Sequence, residues 1–163
     1  MKALATFLLT GFVLFAAPAF AQEAGQTAED TNMEILMEKL KADKKLLVAN
    51  NMDLTDAESK AFWPMYDAYQ KDLQQINDRL KKTIAEYAEA YNEGKGTISN
   101  TKAKNLLDEA LATQEAEIKL KRTYAEKIGK ILPGAKTVRY IQIENKVRAL
   151  VNFELARVIP LVY

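Results

Sequence analysis

Hydrophobic residues recur every three or four positions along most of this chain, in four segments separated by short polar or glycine-containing breaks. This period returns side chains to the same side of an α-helix, so each segment is predicted to be an amphipathic helix. No segment shows the alternating pattern of a β-strand, and the predicted fold class is all-α, with long second and third helices. The four segments comprise residues 32–49, 55–93, 99–132 and 136–159.

The second segment has the clearest pattern. It begins with Thr55-Asp56-Ala57-Glu58, where the threonine hydroxyl and the Glu58 carboxylate can each accept a hydrogen bond from the other residue's amide. This capping box predicts the start of the helix, and Gly94-Lys95-Gly96 predicts its end. Between them, one long amphipathic helix is predicted by an almost unbroken apolar stripe. The stripe consists of Phe62, Tyr66, Tyr69, Leu73, Ile76, Leu80, Ile84, Tyr87 and Tyr91.

The third and fourth segments are each predicted to turn one apolar line towards the core. The line of the third segment consists of Ala103, Leu107, Leu111, Ile118, Ala125, Ile128 and Leu132. The line of the fourth consists of Tyr140, Ile143, Val147, Val151, Leu155 and Val158. The fourth segment is also apolar outside its line, which is typical of a central helix or of one in an interface. We therefore expect a curved homodimer of elongated antiparallel hairpins rather than a compact bundle. The positions outside the line are Ile141, Leu150, Phe153 and Ile159.

The first 21 residues are typical of a cleaved signal peptide. Lys2 precedes an apolar run from Ala3 to Ala17, and the small-x-small end Ala19-Phe20-Ala21 follows. The run is shorter than the roughly 20 residues that a membrane-spanning helix needs, which favours cleavage after Ala21 over anchoring. We expect a periplasmic protein that does not insert into a membrane, with a flexible polar leader (residues 22–31) and one helical domain (residues 32–160).

Composition and charge narrow the possible functions. The chain has 23 basic and 22 acidic residues, so loss of Lys2 with the signal peptide leaves equal numbers. A nucleic-acid-binding protein needs a basic excess, and nucleic acid is therefore not an expected partner. The chain has no histidine and no cysteine, so the commonest general base, the usual zinc ligands and a thiol nucleophile are missing. We predict that the protein is not an enzyme and that it has no metal or other cofactor.

The most unusual cluster of side chains lies near the start of the second segment, where aromatic and thioether groups are crowded. Three of them, Phe62, Tyr66 and Tyr69, fall on the core stripe, which favours packing in the core. Trp63 lies about 100° of helix rotation from that stripe, and we favour coverage by a neighbouring helix over exposure. The candidate surface for a client or partner consists of Phe62, Trp63, Met65, Tyr66, Tyr69, Arg139, Tyr140 and Arg148.

Two of the helix starts share a leucine at the head of a five-residue segment, Leu54-Thr55-Asp56-Ala57-Glu58 and Leu132-Pro133-Gly134-Ala135-Lys136. The first segment resembles the Leu-Thr-x-x-Gln motif of the Spy and CpxP family of bacterial periplasmic stress proteins. The signal peptide, polar leader and four helices also resemble the layout of that family. Glu58 stands where the family has glutamine, and the second copy keeps only Leu132. The resemblance implies an antiparallel, cradle-shaped homodimer that binds unfolding proteins without ATP or modulates an envelope stress sensor.

The residues and the resemblance together favour an ATP-independent periplasmic chaperone. A surface that mixes apolar and charged groups can hold partly folded clients weakly, without a chemical step. The alternative is a dedicated interaction module that modulates a membrane sensor or an envelope assembly partner. The cations that could supply the charged part of the chaperone surface are Lys119, Lys121, Arg122, Arg139, Lys146 and Arg148.

Overall fold

The computed structural model describes residues 43–162. None of these residues lies in a strand, and the predicted all-α fold is confirmed. The signal peptide, the polar leader and the predicted helical residues 32–42 lie outside the described residues. The helices are α1, described over residues 43–52, α2 at Asp56–Glu93, α3 at Asn100–Ile128 and α4 at Gly134–Val158.

Helix α2 begins and ends where the sequence pattern predicts. The Glu58 amide donates to Oγ1 of Thr55 over 3.3 Å, and the Thr55 amide donates to Oε2 of Glu58 over 2.8 Å. The predicted capping box is therefore formed. After Glu93, Lys95 and Gly96 adopt left-handed backbone conformations, with φ of 51° and 97°. Because residues with side chains adopt such angles at a cost, a glycine in this turn lowers the strain of ending α2 here.

The boundaries of α3 and α4 differ by a few residues from those predicted. Helix α3 ends at Ile128 rather than at Leu132. After Ile128, the amides of Lys130 and Ile131 donate to carbonyls three residues back instead of four, so the α-helical pattern stops there. Helix α4 begins at Gly134 rather than at Lys136, because the Pro133 carbonyl already accepts the first helical hydrogen bonds. Both differences concern turns that apolar periodicity does not describe.

Helices α2 and α3 form a long antiparallel hairpin around the turn at residues 94–99. Ion pairs join the two helices in the half of the hairpin nearest this turn. Arg79 Nη2 lies 2.9 Å from Glu109 Oε1, and Lys102 Nζ lies 2.6 Å from Glu86 Oε2. The elongated hairpin predicted from the second and third segments is confirmed.

Helix α4 lies against both helices of the hairpin and runs in the direction of α2. Near the middle of α4, Glu144 accepts a hydrogen bond from Gln70 of α2 at 2.9 Å. One turn later, Arg148 donates to Asn77 of α2 at 2.8 Å. The same guanidinium donates to Glu117 of α3 at 2.9 Å.

The core is an aromatic cluster at the end of the hairpin where all four helices meet. The ring of Tyr140 packs edge to face on Phe62 and Tyr69, with ring centroids 5.2 and 6.0 Å apart. Tyr124 of α3 packs in the same way on Tyr69, at 5.3 Å. Pairs of this geometry contribute about 0.5–1.5 kcal/mol beyond the burial of their area. The buried hydrophobic residues of the cluster are Val48, Met52, Phe62, Tyr66, Tyr69, Leu73, Tyr124, Ile128, Leu132 and Tyr140.

The predicted stripe of α2 is fully buried over its first half only. Its members from Phe62 to Leu73 are buried, whereas those from Ile76 to Tyr91 are half-buried. The difference follows from the neighbouring side chains. Large aromatic rings of α3 and α4 face the first half, while the second half is bordered by the interhelical ion pairs and by small side chains such as Thr83.

Replacement of Tyr69 by phenylalanine should raise the free energy of unfolding by about 1 kcal/mol. Within residues 43–162, the Tyr69 hydroxyl is the one buried side-chain polar atom without a hydrogen-bond partner. Its removal abolishes the cost of keeping an unpaired hydroxyl out of water. Urea unfolding at neutral pH, followed by circular dichroism, measures the change.

Tyr124→Phe is the matched control for this prediction. The Tyr124 hydroxyl donates to Oδ2 of Asp72 at 2.8 Å, so its removal should lower stability by about 1 kcal/mol. A Tyr69→Phe variant that is as destabilised as Tyr124→Phe would show that the Tyr69 hydroxyl has a partner.

Candidate functional site

Four aromatic residues of the candidate surface lie in the core. Phe62, Tyr69 and Tyr140 are fully buried, and Tyr66 is 3% exposed. Packing in the core, which the sequence pattern favours for Phe62, Tyr66 and Tyr69, is observed for all four residues, so this structure does not place them on the surface. The reason is that α1 and α4 close over this part of α2 and bring their own apolar side chains into the same cluster.

Trp63 and Met65 lie at the edge of the core and are half-buried. Nε1 of Trp63 donates to Oγ of Ser59 at 2.9 Å. Nζ of Lys45, on α1, lies 5.3 Å from the centre of the Trp63 ring, within the range of a cation–π interaction. Trp63 is therefore covered only in part, and the residue that covers it belongs to α1.

The two candidate arginines have different environments. Arg139 is exposed, and its guanidinium donates to the Asn51 carbonyl of α1 at 3.4 Å. Arg148 is partly buried, and its guanidinium is engaged by Glu117 and Asn77. Arg148 therefore serves to hold α4 on the hairpin and is not a free cation.

The two related helix starts lie side by side. Leu54 and Leu132 pack in or against the core cluster. The fifth residues of the two segments meet, because Nζ of Lys136 lies 2.6 Å from Oε2 of Glu58. Hydrogen bonds from Lys136 and from the Thr55 amide hold the pKa of Glu58 below its usual range. Both segments therefore have a structural role, which is to join the starts of α2 and α4.

A cleft of about 390 Å³ lies between α2 and α3. The charged groups that line it neutralise one another, as Arg79 pairs with Glu109 at 2.9 Å and Lys82 approaches Glu86 at 3.9 Å. The hydroxyl of Thr83 in the same cleft donates to the Arg79 carbonyl at 3.0 Å. The polar groups of this cleft therefore stabilise the hairpin and leave no free base beside the hydroxyl.

Helix α3 carries an exposed row of apolar side chains. Leu107, Leu111 and Ile118 are 57%, 47% and 61% exposed, and spacings of four and seven residues place them along one side of the helix. We call these three residues the α3 strip. The sequence pattern predicts that they face the core, and this prediction is wrong. Helix α3 instead turns its neighbouring side, which contains Leu106 and Tyr124, towards the interior.

Helix α4 has a second exposed apolar region over its last turns. We call its four residues, Leu150, Val151, Phe153 and Val158, the α4 patch. Phe153 and Val158 are the most exposed of them, at 60% and 69%. The sequence pattern places Val151 and Val158 in the core, and the structure corrects this. Glu144 and these valines are spaced seven residues apart on the same side of α4, so the exposure of the valines belongs to the last turns of the helix, C-terminal to the contacts of Glu144 and Arg148 with the hairpin.

Charged side chains lie beside the α3 strip along the same helix. Single exposed leucines are common on protein surfaces, but grouped apolar side chains with a charged border are typical of binding sites. Such a surface can contact an apolar segment of another chain while the charges keep the free protein soluble. The exposed charged residues nearest in sequence to the strip are Lys104, Asp108, Glu115, Lys119 and Arg122.

No protein-family model, curated protein or solved structure matches the chain. Over residues 43–162, acidic side chains form no group of three or more that could hold a metal ion. None of the helices described there is long and apolar enough to cross a membrane. The geometry of these residues defines an α-helical protein whose distinctive surfaces are the α3 strip and the α4 patch.

Proposed function

We propose that this protein is an ATP-independent chaperone of the bacterial periplasm, which binds unfolding or aggregation-prone proteins during envelope stress. The exposure of the α3 strip and the α4 patch among charged side chains is the observation that supports it. Apolar area removed from water contributes roughly 25 cal/mol per Å², so a partly unfolded client gains free energy from contact with these residues. Weak binding of this kind lowers the concentration of free client and slows aggregation without nucleotide.

Two features of the sequence support the periplasmic location and the stress role. Residues 1–21 are typical of a signal peptide, and the segment Leu54 to Glu58 resembles the motif of the Spy and CpxP family. The proposal includes the homodimer that this resemblance implies, and it includes no catalytic step and no cofactor. It differs from the sequence-based expectation in its client surface, which is the α3 strip and the α4 patch rather than the aromatic cluster.

The proposal is tested by the aggregation of two unrelated, chemically unfolded proteins diluted into nucleotide-free buffer. Near-stoichiometric amounts of residues 22–163 should suppress the light scattering of both. The triple variant Leu111→Gln, Ile118→Gln and Phe153→Gln should lose most of this suppression. Because the three side chains are 47%, 61% and 60% exposed, the variant should keep the helical content and the unfolding midpoint of the parent protein.

Val138→Gln is the matched control. Val138 is 56% exposed but lies near the start of α4, outside both surfaces. Full suppression by the triple variant would contradict the client surface, and no suppression by the parent protein would contradict the chaperone function. In the second case, one saturable partner recovered by crosslinking in cells would favour the alternative, a dedicated module that modulates a membrane sensor or an assembly partner.

A further inference from the structure

The described part of helix α1 is held on the core by few buried side chains. In its described part, residues 43–52, Val48 and Met52 are fully buried and Lys44 is partly buried, while the other side chains are exposed. The contacts of α2 and α3, by contrast, extend along the whole hairpin. An element with so few buried apolar contacts opens at a lower free energy than the core elements do.

A largely buried ion pair joins α1 to α4. Nζ of Lys44 lies 2.7 Å from Oε2 of Glu144, and the two side chains are 16% and 3% exposed. Gln70 of α2 donates to the other carboxylate oxygen of Glu144 at 2.9 Å. The buried carboxylate therefore keeps one hydrogen bond when Lys44 leaves. Removal of α1 breaks a strong contact without leaving Glu144 entirely unpaired.

The aromatic cluster lies beneath α1. Nζ of Lys45 is 5.3 Å from the ring centre of Trp63 and 5.6 Å from that of Tyr66. The two buried apolar side chains of α1 belong to the same cluster as Phe62 and Tyr140. These rings belong to α2 and α4, which remain joined to each other by contacts that do not involve α1, such as those of Arg148 and Lys136.

We propose that α1 is a displaceable cover, and that its release exposes the aromatic cluster as a second apolar surface for an unfolded client. In the closed state the rings are buried, whereas the α3 strip and the α4 patch are accessible. In the open state Phe62, Tyr66 and Tyr140 face the client. A client that binds the open state more tightly shifts the population towards it by the difference in affinity. The release of α1 is independent of the proposed function, and only the client step rests on it.

The release of α1 is tested on residues 22–163 with the variant Lys44→Met, which removes the ion pair to Glu144 and the hydrogen bond to Oε1 of Gln70. Hydrogen exchange of the amides of residues 43–52 should become roughly 10-fold to 100-fold faster, because a charge-assisted hydrogen bond is lost. Trp63 is the only tryptophan in the chain, and it lies beside α1, so its quenching by acrylamide should increase. The amides of α2 and α3 should keep the exchange rates of the parent protein.

Leu46→Gln is the matched control for hydrogen exchange. Leu46 belongs to the same helix, but its side chain is 60% exposed. Substitutions at such exposed positions change stability little, so exchange of residues 43–52 should accelerate by no more than about threefold. Val48→Ala is a second opening variant, since it weakens an apolar contact of α1 and leaves every charge in place.

The client step is tested with a reduced and carboxymethylated protein that cannot refold. Lys44→Met and Val48→Ala should bind this probe at least threefold more tightly than the parent protein, an effect of about 0.7 kcal/mol. If residues 43–52 exchange at the parent's rate in both variants, or only together with α2 and α3, α1 is not a separate cover. If α1 opens and affinity is unchanged, the aromatic cluster is not a client surface. Neither result affects suppression of aggregation by the parent protein, which tests the proposed function separately.

Discussion

Replacement of Phe62 by alanine should lower the free energy of unfolding by about 3–5 kcal/mol, the usual effect of removing an aromatic ring from a core. The ring is fully buried, and its centroid lies 5.2 Å from those of both Trp63 and Tyr140. The substitution would open a cavity where α1, α2 and α4 meet. Domains of this size have total stabilities on the order of 5–15 kcal/mol, so a large fraction of the stability would be lost.

Urea unfolding followed by circular dichroism measures this loss. Phe153→Ala is the matched control, because it removes the same ring from a position that is 60% exposed on α4. Its effect should not exceed about 0.5 kcal/mol. Equal losses in the two variants would contradict the placement of Phe62 in the core.

The protein should also unfold cooperatively in alkaline solution, at about pH 11–12, as its core tyrosines ionise. Burial raises the pKa of Tyr66, Tyr69 and Tyr140 well above the usual range. Burial, together with the hydrogen bond to Asp72, raises the pKa of Tyr124 to about 12. Unfolded tyrosines ionise near pH 10, so the unfolded state releases these protons first. Stability is therefore complete below about pH 10 and is lost as the pH rises towards the folded values.

The expected slope is large because several buried tyrosines contribute together. Each loses about 1.4 kcal/mol of stability per pH unit in this window, and four lose roughly 5 kcal/mol per unit. Circular dichroism and tyrosinate absorbance should therefore change together in one steep transition. Tyr69→Phe should move the transition to higher pH, since it removes one ionising group from the core. Full tyrosinate absorbance before any loss of helix would contradict the burial of these rings.

The start, the end and the buried face of α2 could be predicted from the sequence because their signals are local. The capping box of Thr55 and Glu58 sets the start, and a glycine-containing turn sets the end. The sequence did not determine which side of α3 is buried, because two of its sides can face a core. One carries the leucines of the α3 strip, and the other carries Thr113, whose buried hydroxyl donates to the Glu109 carbonyl at 2.8 Å. This bond satisfies the hydroxyl and allows threonine to be buried. A pattern of apolar residues alone cannot predict such a buried polar position.

The sequence indicated which types of residue form the candidate site, but not which of them are exposed. The aromatic residues around Trp63 are unusual in the sequence, but rings serve equally in a core and on a binding surface. Their burial depends on α1 and α4, which are distant in the sequence and whose docking no local pattern encodes. The α4 patch had a clearer signal, since Leu150 and Phe153 lie outside the predicted core line of an already apolar helix. An excess of apolar positions over what one core face can bury indicated an exposed surface there.

The contacts between α1 and α4 connect distant parts of the chain, and this separation determines an order of folding. Lys44 and Glu144 are 100 residues apart, whereas Lys102 and Glu86 of the hairpin are 16 apart. Short loops close at a lower entropic cost, and local contacts form faster. The hairpin can therefore form before α1 and α4 dock on the rings of α2. In that interval the chain exposes its own unfinished core, and it is itself an aggregation-prone client of the kind it is proposed to bind.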